Sequence, residues 1–286
     1  MDLTLAVLFP MVANVDIDNP CRWWTNRLSA CRNWTTAPGP QRAGRDERRL
    51  GTPRSSSDLR LPTSSSSSTT AASVPRRTTA PFDIDQLADD TARMIEALEF
   101  ERASVLGWSL GGFIAQTLAL DYSALVDRLI LLSTDPGGAD AELASPDVRS
   151  RLADMSGTPH EQARRLLSLL FPGDLAESIY QKFGDLVAAA RTQLSPDLIR
   201  RQVTAMDAWH WDGTGDRLAK VSAPALVAAG TEDIVIPASN ALALVNAIPG
   251  AWLAQFKGGG HAFMAQYPRP LADLINGFLA IDESQR

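Results

Sequence analysis

A serine between two glycines, an aspartate and a histidine, met in that order along the chain, are the residues of this sequence equipped for covalent chemistry. Ser109 lies in Gly107-Trp108-Ser109-Leu110-Gly111, between the aliphatic run Ala103 to Leu106 and a proline-free stretch from Leu110 with helical spacing. A serine hydroxyl is a weak nucleophile at neutral pH. It needs an imidazole to take its proton and a carboxylate to hold that imidazole in one tautomer. Both are offered downstream. Asp233 closes Gly230-Thr231-Glu232-Asp233 after the strand pattern Ala223 to Gly230, and His261 closes Lys257-Gly258-Gly259-Gly260-His261 after the strand pattern Ala251 to Phe256. Each candidate thus falls just past the carboxyl end of an expected strand, where open parallel sheets gather their active sites.

The glycines carry a steric argument. A strand that turns directly into a helix forces the residue at the turn into a strained backbone conformation, and the positions two before and two after it, Gly107 and Gly111, must lack side chains that would meet the neighbouring strand and helix. From about Phe82 to the C-terminus the chain resembles an α/β-hydrolase-fold serine hydrolase. The resemblance rests on Gly107-Trp108-Ser109-Leu110-Gly111-Gly112, on Gly230-Thr231-Glu232-Asp233 with Pro237, and on Gly259-Gly260-His261 with the helix after Pro270. It implies a mostly parallel sheet flanked by helices, with Ser109 as nucleophile, His261 as general base and acid, and Asp233 as orienting carboxylate. It also implies that the Leu110 N–H is one donor of the oxyanion hole. Glu232 is the neighbouring alternative for the acid; Asp233 fits because relatives place theirs last in Gly-x-x-Asp. Asp135 follows the strand pattern Leu129 to Ser133, where a few relatives carry the acid, and its plainer reading is a turn residue in Thr134-Asp135-Pro136-Gly137-Gly138.

Asp83 with Gln86 reads as a capping box for a helix whose apolar face is Ile84, Leu87, Met94, Ile95 and Leu98. Between the strands at Leu129 and Ala223, residues 139–221 carry helical signatures at Glu161 to Leu170, Leu175 to Ala190 and Pro196 to Trp209. By resemblance this insertion is a helical cap over the active site, and the core is 82–138 with 222–286. Trp108, Trp209 and Trp211 are the candidates for substrate contact, although aromatic residues at such places more often pack. His160 and His210 lack the glycine and strand context of His261 and read as surface or packing residues.

Residues 1–81 read as an atypical, irregular or disordered region. Cys21 to Pro81 holds eleven arginines, no lysine and the tract Ser64 to Thr70, a composition that does not build a core. No opening strands and no His-Gly loop are legible there. Written in its commonest codons, Ser64 to Val74 reads in a shifted frame as an aliphatic run followed by a polar turn, which is what relatives carry just before the helix near Phe82. A garbled reading frame, restored before Phe82, accounts for the mismatch; a native low-complexity linker is the competing account.

The remaining bounds are broad. A chain of 286 residues, 45% hydrophobic, suits one domain plus a small cap. Its formal charge of −6 argues against nucleic acid or an anionic membrane as partner. Cys21 and Cys31 lack the further ligands of a zinc site, so no metal is expected, and no cofactor either. Leu3 to Ala13 is apolar but too short to span a bilayer and follows Asp2, so the expected location is cytoplasmic. The expected activity is hydrolysis of a small carboxylic ester or lactone through an acyl-enzyme. Carbon–carbon bond hydrolysis and perhydrolysis use the same triad and stay open, as do a triad-bearing ligand sensor and an inactive product lacking the N-terminal strands. The sequence leaves the substrate's identity and the oligomeric state open.

Overall fold

A computed structural model describes residues 3–8, 64–69 and 82–281. Six strands form one parallel sheet: β1 (Leu3–Leu8), β2 (Ser64–Thr69), β3 (Ala103–Trp108), β4 (Val126–Leu132), β5 (Ala225–Gly230) and β6 (Trp252–Phe256), in the order β2-β1-β3-β4-β5-β6. Parallel strands need crossovers, and here helices supply them: α1 (Ile84–Ala97) before β3, α2 (Leu110–Asp121) between β3 and β4, and α7 (Ser239–Ala247) between β5 and β6. The short α8 (Phe263–Gln266) and α9 (Pro268–Leu279) follow β6.

Both faces of the sheet are covered, which is why its central strands read as aliphatic runs rather than alternating ones. Leu129, Leu131, Val227 and Ala229 face one apolar cluster with Phe113, Ile114 and Leu118 of α2. Ile130, Leu226 and Ala228 face the other, with Trp108, Phe263, Leu271 and Phe278. Ile130 and Leu131 are adjacent in sequence and both fully buried on opposite sides; burying each such side chain contributes about 1.5–3 kcal/mol.

Two segments of the N-terminal region, where no strand is legible from the residues, are strands. Leu3–Leu8 pairs in parallel with β3, and Ser64–Thr69 pairs with Leu3–Leu8 at the sheet edge. The rest of the reading of 1–81, including its arginines, Cys21 and Cys31, lies outside the described residues.

The helix before β3 begins as expected, with Asp83 Oδ1 accepting the Gln86 N–H at 2.7 Å. The expected capping box is not reciprocated: the Gln86 side chain donates to Asp90 instead, at 3.4 Å. Leu98 lies just past the end of α1 and is exposed. The insertion between β4 and β5 has four helices rather than three: α3 (Pro146–Ala153), α4 (Pro159–Leu170), α5 (Gly173–Thr192) and α6 (Pro196–Asp212). α3 escapes the sequence reading because a polar eight-residue helix with one buried side chain, Val148, has almost no apolar stripe. α4 has the full reciprocal box that α1 lacks, between Thr158 and Glu161.

Candidate active site

Ser109 stands between β3 and α2 with φ 55° and ψ −126°, a left-handed conformation that costs a non-glycine residue about 1–3 kcal/mol and persists where the surroundings enforce it. They do so through hydrogen bonds. The Ser109 N–H donates to Leu132 O at 3.0 Å, and its carbonyl accepts from Gly112 N at 2.8 Å and from Thr134 Oγ1 at 2.9 Å. Space demands two glycines. A Cβ on Gly107 would lie 2.3 Å from Gly111 O, and one on Gly112 would lie 2.3 Å from Thr134 Oγ1. Thr134, on the loop after β4, therefore both braces the elbow and excludes a side chain from Gly112, a role no local sequence signal announces. Leu110 opens α2, so its N–H belongs to the first turn, where helix amides have no intrahelical acceptor and the helix dipole favours negative charge.

The acid and the histidine are joined directly. Asp233 Oδ2 lies 2.8 Å from His261 Nδ1, and the two side chains are 0% and 3% exposed. The other carboxylate oxygen, Asp233 Oδ1, accepts the Val235 N–H at 2.9 Å and the Ile236 N–H at 2.8 Å. Glu232, the alternative acid, is exposed, and its N–H donates to Gly259 O at 2.8 Å. Asp135, the other alternative, is buried but engaged elsewhere: Oδ1 accepts from Gly137 N at 2.8 Å and Trp209 Nε1 at 3.2 Å, and Oδ2 lies 3.3 Å from His210 Nε2. It fastens the end of β4 to the end of α6, so its turn reading holds and extends to a tertiary one. His160 is mostly exposed.

The loop bearing His261 is held from three sides. Gly260 N donates to Gln266 Oε1 at 2.8 Å, Ala262 N donates to Leu170 O at 3.1 Å, and Trp108 Nε1 donates to His261 O at 3.0 Å. The last bond matters most for the site, because Trp108 directly precedes Ser109. Its ring centroid is also 5.4 Å from that of His261. The bond thus carries the histidine loop to the elbow.

The three tryptophans expected to touch substrate sit in different surroundings. Trp108 is 5% exposed and spent on the histidine loop and the core. Trp209 is 7% exposed, stacked on Phe113 with centroids 4.8 Å apart and tied to Asp135. Trp211 is 85% exposed. Indole rings that already have a stacking partner and an acceptor for N–H have little left for a ligand. Among the described residues no group of three or more His, Cys, Asp or Glu is placed to hold a metal ion, and no helix is long and apolar enough to cross a membrane.

Residues 56–266 match the family model described as alpha/beta hydrolase fold. The chain belongs to that family. Among curated relatives of this hydrolase, the protein named "Putative carbamate hydrolase RutD" from Agrobacterium fabrum is 28% identical over 195 residues, covering 68% of this chain and 71% of its own length. The protein of the same name from Azorhizobium caulinodans is 30% identical over 206 residues, covering 71% and 75%. Among solved structures, the enol-lactonase from Burkholderia xenovorans LB400 superposes with a TM-score of 0.69 at 17% identity, over 98% of this chain and 92% of that one. The meta-cleavage product hydrolase from Pseudomonas fluorescens IP01 superposes with a TM-score of 0.66 at 18% identity, over 97% and 91%. At those identities the superpositions speak for the fold of this hydrolase.

Proposed function

We propose that this hydrolase cleaves a small carboxylic ester or lactone through an acyl-enzyme on Ser109. The observation that carries the reading is the buried Asp233–His261 bond of 2.8 Å, fastened through Trp108 to the strained serine. Asp233 is an acceptor on both oxygens, so it holds the proton on His261 Nδ1 and leaves Nε2 free to accept one. Ser109 Oγ attacks the carbonyl carbon as its proton passes to Nε2. The oxygen that gains charge is met by the Leu110 N–H at the positive end of α2. His261 then returns the proton to the leaving oxygen, and water, activated by the same imidazole, releases the acid. In this reading the four-helix insertion is the cap that shapes the choice of substrate.

A second oxyanion donor comes, in this fold, from the loop after the strand beside the nucleophile strand. Leu3–Leu8 occupies that place, with Val7 opposite Gly107; the residues after Leu8 lie outside the described residues. The position of Ser64–Thr69 supports the shifted-frame account of the N-terminal region, since a strand of serines and threonine stands where rereading the codons gives an aliphatic one. Sequencing the gene through the codons for Pro62 to Pro81 tests it: the account fails unless a one-base shift opens a frame encoding that aliphatic strand.

The activity is tested by p-nitrophenyl acetate hydrolysis and fluorophosphonate labelling of the purified chain, each compared with Ser109→Ala. Labelling and turnover that vanish together in the variant support the acyl-enzyme. A chain that turns over equally well without Ser109 refutes it. Carbamates, for which the relatives are named, present a similar carbonyl to the same serine, and measuring both kinds of substrate ranks them.

A further inference from the structure

Three glycines in a row, Gly258 to Gly260, lead directly into His261. Such a run is the loosest backbone a chain can offer, because glycine loses more freedom on folding than any other residue. Yet the imidazole that follows is held 2.8 Å from Asp233. On one side the loop is tied by Gly259, whose N–H donates to Phe256 O at 3.0 Å and whose carbonyl accepts from Glu232 N at 2.8 Å. The polar groups on either side of Gly259 go to a single side chain from beyond the histidine. Gln266 Oε1 accepts the Gly260 N–H at 2.8 Å, and Gln266 Nε2 donates to Gly258 O at 3.0 Å. The orientation of the amide is fixed by these partners, since a backbone N–H can only donate and a carbonyl can only accept. Gly260 is buried, so its N–H without Gln266 would be a donor left unsatisfied away from water. The mount is firm as well. Gln266 ends α8, and Phe263 at the start of that helix is fully buried, its ring centroid 4.8 Å from that of Phe256 on β6.

We propose that Gln266 is a positioning residue for His261: its amide clamps the glycine loop to α8 and so keeps the imidazole on Asp233 and in place for proton transfer. The inference rests on the reading of His261 as the general base. Gln266 acts through the backbone of the loop and exchanges no proton itself.

Gln266→Met keeps the length of the side chain and removes both bonds. In the isotope-labelled parent chain the Gly260 amide is expected to be protected from solvent exchange, and the His261 Nδ1 proton, bonded to a carboxylate, to give a far-downfield NMR resonance. With two hydrogen bonds lost, loop opening becomes about tenfold more frequent. The Gly260 amide of the variant therefore exchanges faster by that factor, and the downfield resonance broadens or vanishes. For p-nitrophenyl acetate, kcat is expected to fall roughly tenfold to a hundredfold with KM held within about twofold, because a displaced base is felt in the transition state. Tyr267→Phe is the control. It removes the bond from Tyr267 Oη to Lys257 O at 2.6 Å, ahead of the glycines, and is expected to keep both the resonance and kcat. A parent Gly260 amide that exchanges as freely as an exposed one overturns the proposal. So does a folded Gln266→Met that keeps the resonance sharp, or equal losses of kcat in Gln266→Met and Tyr267→Phe. A parent protein with neither turnover nor fluorophosphonate labelling refutes the hydrolase reading instead, and the Gly260 exchange and the Nδ1 resonance still decide the role of Gln266.

Discussion

Replacing Asp233 by asparagine tests the proposed mechanism at one proton. The two oxygens of Asp233 are not equivalent: Oδ1 accepts two backbone N–H groups, from Val235 and Ile236, and Oδ2 faces His261 Nδ1. An asparagine at this position has one orientation that does not set donor against donor, with its carbonyl oxygen on the two amides and its NH₂ toward the imidazole. That NH₂ needs an acceptor, so Nδ1 must give up its proton and Nε2 must carry it. The imidazole is then in the tautomer that cannot accept a proton from Ser109. The equivalent loss in a serine protease triad lowers kcat about ten-thousandfold, or roughly 5.4 kcal/mol of barrier, while the shape of the site is kept. The assay is p-nitrophenyl acetate turnover at neutral pH beside circular dichroism and urea unfolding. An Asp233→Asn protein that is folded and keeps kcat within about tenfold of the parent refutes the assignment, because a wrong tautomer cannot support general base catalysis at that level.

Three further outcomes are expected. Gly112→Ala sets a methyl 2.3 Å from Thr134 Oγ1 and 2.5 Å from Thr134 Cβ; overpacking of this kind costs about 3 kcal/mol, and an unchanged urea midpoint counts against the brace described for the elbow. Trp108→Phe keeps a ring in the core but removes the donor to His261 O, so stability falls by about 1–2 kcal/mol and turnover falls with it, whereas loss of stability alone means the bond does not position the histidine. Glu161 has its carboxyl held below the ordinary value near 4.5, first by the Thr158 backbone N–H and then by the Thr158 hydroxyl. A depressed folded pKa stabilises above the unfolded value and is lost as pH falls through the folded one, so Glu161→Gln, which lacks the charge at every pH, is expected to lower Tm slightly at neutral pH and to flatten its fall below about pH 4.5, where variant and parent converge.

Local chemistry made much of the site legible. Gly107, Ser109, Asp233 and His261 stand out because a sharp turn and residues of these types just past strand ends each leave a mark within a few residues of chain. The same locality explains what was not legible. Thr134 braces Ser109 from 25 positions away, Trp209 reaches Asp135 across 74, and Trp108 reaches His261 across 153. A tryptophan looks the same in sequence whether its ring is packed or facing a ligand, and only the neighbours it meets decide. α3 shows the limit for helices, since a short element with one buried side chain leaves almost no periodicity to read.

By itself the sequence determined the order of Ser109, Asp233 and His261, the aliphatic strands that precede them and the helical insertion between β4 and β5, because strand burial and turn sterics act between near neighbours in the chain. Only the tertiary structure decided that Asp233 rather than Glu232 or Asp135 meets His261, that Trp108 and Trp209 are spent on packing, and that Leu3–Leu8 and Ser64–Thr69 join the sheet. Those outcomes depend on which surfaces remain to be covered once the sheet has formed, and that competition among distant groups is resolved by packing.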